Sequence, residues 1–180
     1  MANTVANVSA GKPRATGGIW RAPSGSTLPA DASTALDAAF VCLGYANDDG
    51  VTNEFSTEDE VKAWGGDIIL STKTDEFTFT LIESINPDVL GAVYGDGNVS
   101  GTVATGVTVS VNDAMQESAV WVIEMLLGKT TYKRIVIPKG IVKEIGEIAY
   151  KDDEPIGYEI TLSCGVDASG NTHYEYIATA

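Results

Sequence analysis

The sequence predicts a mainly β protein, of β-sandwich or barrel-like form, with one short flanking helix. Threonine and valine recur along the chain and 19 of the 180 residues are glycine, a composition that favours many short strands joined by turns. Apolar and polar residues alternate in several segments, most regularly over residues 156–164. One segment that begins at Asn86 carries helix signals instead.

Residues 1–36 contain few large apolar residues, three prolines and several glycines. This composition predicts an extended arm, with one short strand around Ile19, Trp20 and Arg21. Such an arm is not expected to bury itself, so it either stays disordered or docks, typically on a neighbouring subunit.

The segment after the arm is predicted to form a β-hairpin. Residues 38–45 are a plausible strand, and Asn47-Asp48-Asp49-Gly50 predicts its turn, because Asn, Asp and Gly tolerate positive φ. Residues 51–55 are the expected return strand. Residues 56–64 form a short charged segment, with Ser56 or Thr57 as a candidate helix cap, and two glycines end it.

A half-buried strand and then the helix are predicted next. Phe77, Phe79 and Leu81 alternate with threonines, the period of a strand with one buried face. Asn86 is a helix cap, followed by Pro87 in the first turn. An apolar stripe at 89, 90 and 93 supplies the buried face, and Gly95 stops the helix.

The second half is nearly all strand. The strands are predicted over residues 103–111, 119–127, 132–137, 141–150, 156–164 and 174–176. Residues 119–127 are apolar at both odd and even positions, which indicates a strand covered on two sides, with a buried helix as the alternative. A turn is expected at Pro138-Lys139-Gly140. The chain is thus a single domain over residues 1–180, with a β core over residues 37–180 and about nine strands.

The formal net charge of −14 argues against a nucleic-acid reader, since the chain would repel phosphates. There is no polybasic stretch for an anionic membrane. The N-terminus shows no signal-peptide pattern, and the longest apolar run is too short to span a bilayer. Folding in a cytoplasm is therefore expected.

No catalytic, cofactor-binding or metal-binding constellation is predicted. His173 is the one histidine and is expected on the surface of a terminal strand, while Cys42 and Cys164 are expected as small buried apolar residues. Gly128-Lys129-Thr130 lacks the upstream glycine of a phosphate-binding loop, so it is interpreted as a hairpin turn. Residues 47–60 hold six acidic and no basic residues. They are interpreted as a solvated or interface acidic loop, with weak divalent-cation binding as the alternative.

Several sequence blocks resemble, in the right order, the tail tube (major tail) proteins of siphophages. The blocks are residues 36–45, 49–53, 61–67, 77–84, 86–95 and 134–138. The resemblance extends over roughly residues 11–165.

That resemblance implies a structural virion protein rather than an enzyme. Members of this family form hexameric rings that stack into a hollow tail tube, through which DNA passes into the host without specific binding. It implies that the partners are other copies of the chain, the tape measure protein and the tail terminator. No cofactor is implied.

Function is accordingly expected in the surfaces through which copies associate. The candidate inter-subunit contacts are Trp20, Arg21, Asp48, Asp49, Glu58, Trp64, Lys133 and Arg134. We hypothesise that the acidic residues 47–60 approach basic residues of the second half across subunits. The alternative function is a monomeric β-sandwich that serves as a binding or decoration module.

Overall fold

A computed structural model describes residues 4–62, 64–66 and 68–180. The strands in order are β1 (Gly11–Pro13), β2 (Ile19–Pro23), β3 (Val41–Gly44), β4 (Ala46–Lys62), β5 (Ile68–Leu81), β6 (Val99–Thr102), β7 (Gly106–Val109), β8 (Ala119–Leu127), β9 (Thr131–Ile145), β10 (Tyr158–Cys164) and β11 (Tyr174–Thr179). The α-helix, α1, spans Pro87–Tyr94, and single 3₁₀ turns lie at Val5–Asn7 and Asp96–Asn98. The predicted mainly β fold with one short helix is confirmed.

Nine of the described strands form one antiparallel sheet in the order β3-β2-β8-β9-β10-β5-β4, with β1 added to β8 and β11 added to β9. Strand β9 exchanges partners along its length. Its first half pairs with β11 and its second half with β10, while β8 lies along its other edge. The sheet therefore branches at β9: β11 extends it along the first half of β9, and β10, β5 and β4 extend it along the second half. The β8–β9 hairpin is common to both branches.

Strand β8 is buried on both faces, as its unbroken apolar run predicts. Residues 119, 121 and 123 point into the larger core, which also holds α1 and the inner faces of β5 and β10. Val120 and Val122 point to the other face, where Phe40 and Val136 cover them. The alternative of a buried helix is wrong, because two partners satisfy the backbone of this segment on either side.

Helix α1 begins and ends where the sequence predicts. The Asn86 side-chain oxygen accepts a hydrogen bond from the backbone N–H of Asp88 at 3.0 Å, and Pro87 occupies the first turn. At the other end the Gly95 N–H bonds to the carbonyl of Gly91, at a positive φ that favours glycine. The helix packs its apolar residues 89, 90, 92 and 93 into the larger core.

The expectation that residues 1–36 do not bury themselves is wrong at β2 and at Ala32, whereas most of the described residues of this segment are exposed or partly exposed. Strands β1 and β2 run along the same edge of β8, separated by a loop over residues 14–18. Ile19, Ala22 and Ala32 are buried. The backbone of β8 offers an unpaired edge, and the predicted short strand at Ile19 fills it, so hydrogen bonding outweighs the scarcity of large side chains.

The predicted hairpin turn at residues 47–50 is also wrong. Strand β4 runs through this segment without reversing, and residues 47–50 form a bulge between the pairs Ala46–Leu81 and Val51–Phe79. Gly50 supplies the positive φ of 75°, which a bulge demands as much as a turn does. Residues 56–62 continue the same strand, so the acidic segment is neither a loop nor a helix. The chain reverses at Gly65 and Gly66.

The turn predicted at Pro138-Lys139-Gly140 does not exist either, because β9 passes straight through it. Pro138 lies where β9 changes from β11 to β10 and where its register with β8 shifts, so its missing N–H leaves no ladder bond unmade. Gly140 faces Trp121, and a Cβ at this position would lie 2.5 Å from Cδ1 of that indole.

The remaining strand predictions hold in part. Residues 99–109 form a separate hairpin of β6 and β7 rather than one strand over 103–111, with Val103 in the turn. Strand β3 begins at Val41, three residues later than predicted, and β9 ends at Ile145. Strands β10 and β11 lie where the alternation predicts.

Candidate self-association surfaces

Four strands of the described sheet have an unpaired edge. Strands β3, β4, β11 and β1 each pair on one side only, with β2, β5, β9 and β8 respectively. An unpaired edge presents a row of backbone donors and acceptors that a strand of another chain can satisfy. These edges are therefore the first candidates for contacts between copies.

Among the residues that the structure describes, no third strand pairs with the outer part of the β4–β5 hairpin. Strand β10 pairs with β5 only over Glu76–Leu81, so residues 55–62 and 68–75 pair with each other alone. We call this part, residues 55–75, the ribbon; eight residues of strand give it a length of about 25 Å. A two-stranded ribbon is marginally stable in water by itself, so contact with another surface stabilises it.

Exposed aromatic side chains mark the ribbon. Phe55 is 56% exposed and Lys73 Nζ lies 5.5 Å from the centre of its ring. Trp64, in the turn at the tip, is fully exposed. Aromatic residues are enriched in protein interfaces, where their large area is desolvated. Trp64 is thus placed as a contact residue would be.

The predicted acidic contacts lie on the same strand. Asp48 and Asp49 are exposed in the bulge, and the Asp49 carboxylate accepts a hydrogen bond from Asn47 Nδ2 at 2.7 Å. The backbone of Glu58 pairs with Thr72; its side chain lies outside the described part of the structure. Strand β4 therefore carries the acidic candidates and leads directly to Trp64.

Lys133 and Arg134 are neighbours in β9, but the first side chain is partly exposed and the second is buried. Lys133 is partly exposed and its Nζ lies 2.7 Å from Glu175 on β11. Arg134 is 1% exposed: its Nε and one terminal nitrogen donate to Glu124, and its guanidinium also donates to the carbonyls of Asp31 (2.7 Å) and Thr34 (2.9 Å). The prediction that Arg134 contacts a neighbouring subunit is therefore corrected: its donors are used inside the subunit.

The partner of Arg134 is a residue that the sequence interpretation missed. Glu124 is 3% exposed and also accepts a hydrogen bond from Arg14 at 2.9 Å. Arg14 in turn stacks over the Tyr132 ring, 4.0 Å from its centre. A buried carboxylate between two guanidinium groups is satisfied both in charge and in hydrogen bonds. The network ties the loop after residue 13, the loop at 31–34 and the β8–β9 hairpin together.

The loop at 31–34 is held in turn by Asp31. Its carboxylate accepts hydrogen bonds from the Thr34 hydroxyl and from the backbone N–H groups of Thr34 and Ser33. These bonds hold the pKa of Asp31 far below its usual value, because they favour the charged form.

Trp20 and Arg21 lie in β2. Trp20 is partly buried, its indole N–H has no hydrogen-bond partner in the described part of the chain, and it lines a groove of about 440 Å³ together with Arg134. Arg21 pairs with Asp96 at 2.7 Å, which connects β2 to the end of the helix. Both side chains thus have contacts within the subunit, and Trp20 also borders an open groove.

The described residues hold no group of three or more His, Cys, Asp or Glu side chains placed to bind a metal ion. Cys42 and Cys164 are free and partly buried, and burial raises the pKa of the Cys164 thiol to about 12. His173 is not the surface residue expected, since only 20% of its side chain is exposed and it bonds to the buried Asp75. No helix in the described part of the chain is long and apolar enough to cross a membrane.

The fold and the surfaces thus define a mainly β subunit with unpaired strand edges and an exposed two-stranded ribbon. The sequence profile of a family described as "Phage tail tube protein" matches residues 4–180. The chain therefore belongs to the phage tail tube protein family, as the sequence blocks predict. Members of this family are structural components of the phage tail that assemble into a tube. No curated protein matches the sequence.

Proposed function

We propose that this protein is the tube subunit of a long, non-contractile siphophage tail, assembled as stacked hexameric rings that conduct DNA during ejection. The observation that carries the proposal is the family match over nearly the whole chain. The proposed partners are other copies of the chain, with the tape measure protein inside the tube and the tail terminator at its end. Assembly takes place in the host cytoplasm, and the mature protein resides in the virion tail.

The unpaired edges support assembly into a closed ring. Pairing between an edge strand of one subunit and an edge strand of the next continues the sheet from copy to copy. A ring closes when this head-to-tail contact returns to its start, and closure then removes the exposed edges. The net charge of −14 suits a lumen along which the polyanionic DNA slides without binding.

The ribbon supports a contact that extends beyond the body of one subunit. In this proposal it lies on a neighbouring copy, with Trp64 and Phe55 as apolar anchors. The acidic strand β4 then faces basic residues of that copy, with Lys129 and Lys133 at the tip of the β8–β9 hairpin as the proposed partners. Opposite charges steer such a contact and fix its register.

Negative-stain electron microscopy of the purified protein over a range of concentrations tests the function. Rings or tubes that increase with protein concentration are the expected result. A species that stays monomeric when concentrated contradicts the proposal and favours the decoration module.

Charge reversal tests the contact. The triple variant Asp48→Lys, Asp49→Lys and Glu58→Lys should form fewer and shorter tubes. A control reverses Asp113 and Glu117, two exposed acidic residues of the segment before β8, and should assemble normally. Tubes of unchanged length and stability in the triple variant would show that the acidic strand does not lie at the interface between copies.

A further inference from the structure

A buried polar cluster lies at the base of the ribbon. Asp75 of β5 is 3% exposed. One of its carboxylate oxygens accepts a hydrogen bond from Asn53 Nδ2 of β4 at 2.7 Å, and the other accepts from His173 Nδ1 at 2.5 Å. The His173 ring also meets Phe77 edge-on, with the ring centres 5.2 Å apart. Three separate parts of the chain therefore converge on one carboxylate.

The cluster occupies a particular level of the hairpin. Strand β10 pairs with β5 as far out as the Ser163–Glu76 pair, and Asp75 is the next residue outward. His173 belongs to the segment before β11, so it supplies the lateral contact that β10 no longer makes. Beyond this level the described backbone of the ribbon pairs between β4 and β5 alone.

The segment that carries His173 is itself firmly held. Asp167 accepts hydrogen bonds from the Tyr174 hydroxyl at 2.6 Å and from the backbone N–H groups of Ser169 and Asn171. These bonds lower the pKa of the Asp167 carboxyl, the Tyr174 bond most of all. The histidine therefore reaches the ribbon from a fixed base rather than from a loose loop.

We propose that His173 and Asp75 form a latch that fixes the direction of the ribbon relative to the body, so that the ribbon is positioned to dock on a second copy. The claim that the ribbon docks on a second copy rests on the proposed function, whereas the latch itself does not. His173 is a positioning residue, because it acts on the neighbouring copy only through the ribbon. Without it, Asp75 keeps Asn53 as its one donor among the described contacts, and the base of the ribbon loses the lateral contact that His173 makes.

Four substitutions separate the latch from a general loss of stability. His173→Ala removes the donor, whereas His173→Asn places an amide nitrogen close to the position of Nδ1 and should restore the bond. Lys143→Gln breaks the neighbouring Lys143–Glu76 ion pair, which is 2.6 Å long with 55% and 20% of the two side chains exposed, and serves as the control. Asp75→Asn keeps the side-chain volume but leaves one acceptor oxygen for the two donors, so it weakens the latch from the ribbon side and should likewise speed amide exchange in the ribbon if the alanine variant at 173 folds poorly.

Hydrogen exchange of the unassembled protein measures the latch. In His173→Ala, amides of residues 55–62 and 68–75 should exchange at least about tenfold faster, because a lost hydrogen bond to a buried charge exposes the ribbon to local opening. Amides of β8 and β9 should exchange at the wild-type rate. Wild-type exchange in the ribbon, or equally faster exchange in β8 and β9, would overturn the latch.

Tube formation tests whether the latched ribbon docks on a second copy. His173→Ala should form few tubes at temperatures where it is fully folded, His173→Asn should recover them, and Lys143→Gln should match the wild type. A loosened ribbon with normal tubes would overturn the role in docking. If the wild type itself forms no tubes, both the proposed function and the docking of the ribbon on a second copy are refuted. Hydrogen exchange still tests the latch in that case.

Discussion

Replacing Arg134 by methionine is the change whose effect the structure determines most directly. The substitution keeps much of the side-chain volume but leaves Glu124 buried with Arg14 as its one remaining cationic partner, and it releases the carbonyls of Asp31 and Thr34. Removing one member of a buried ion pair costs about 3–5 kcal/mol. Because Arg14 remains, the lower limit applies, and we expect a loss of about 3 kcal/mol in the free energy of unfolding.

Lys133→Met is the matched control, one residue away in the same strand. The Lys133–Glu175 pair is partly exposed, with 22% and 42% of the two side chains accessible, and pairs of this kind are worth about 0.2–1 kcal/mol. With a urea dependence of about 2 kcal/mol per molar for a domain of this size, Arg134→Met should lower the unfolding midpoint by about 1.5 M and Lys133→Met by less than about 0.5 M.

Urea unfolding followed by tryptophan fluorescence makes the comparison. Equal midpoints for the two variants would refute the reasoning, because they would mean that the buried network does not hold the loop at 31–34 to the hairpin. Tube formation gives the complementary result. Lys133→Met should impair assembly more than its stability explains, whereas any defect of Arg134→Met should follow its loss of stability.

Three further outcomes are expected. Gly140→Ala should destabilise the protein by more than about 2 kcal/mol, measured by thermal unfolding, because the new Cβ meets the Trp121 ring at 2.5 Å; a wild-type melting temperature would contradict this packing. Asn86→Ala should cost about 1 kcal/mol through loss of the helix cap, and Asn86→Ser, whose hydroxyl keeps an acceptor without a new charge beside Glu83, should cost less. The lowered pKa of Asp31 contributes stability above the unfolded-state pKa of about 4 that is lost as the pH falls below it. Asp31→Asn should therefore flatten the acid side of the stability profile, and an unchanged slope would argue against this carboxylate as its source.

The elements that the sequence predicts correctly depend on local signals. The alternation at Phe77, Phe79 and Leu81 and the two-sided apolar run of β8 report directly which faces are buried. The cap at Asn86 is equally local, since donor and acceptor lie two residues apart. In each case the residues that decide the structure are neighbours in sequence.

The two turns predicted wrongly have a common cause. Residues 47–50 and 138–140 contain the glycine, asparagine, aspartate or proline that turns require, yet both lie inside long strands. A positive φ at Gly50 or a missing N–H at Pro138 fits an irregularity within a ladder as well as it fits a reversal. Only the pairing partner distinguishes the two, and that partner lies far away in sequence.

The candidate site likewise combines contacts that nearby sequence predicts with contacts that it does not. Glu124 and Arg134 were within reach of prediction, because both stand five residues from Lys129 at the predicted turn and so face each other across the hairpin. The prediction that Arg134 is a surface contact rests on its charge alone, whereas this pairing places it opposite Glu124. The His173–Asp75 contact joins residues 98 positions apart, and no local pattern indicates it.

The unpaired edges also bear on how such a protein survives before it assembles. Edges that accept a neighbour accept a wrong neighbour equally well, so a pool of free subunits is exposed to disordered aggregation. Three of the four edge strands are short, between three and six residues, and the long one carries the acidic run. Mutual repulsion between these acidic edges keeps free subunits apart over roughly a Debye length, about 8 Å at physiological salt. Ionic strength is then a control on the threshold concentration for growth, separate from the stability of the folded subunit.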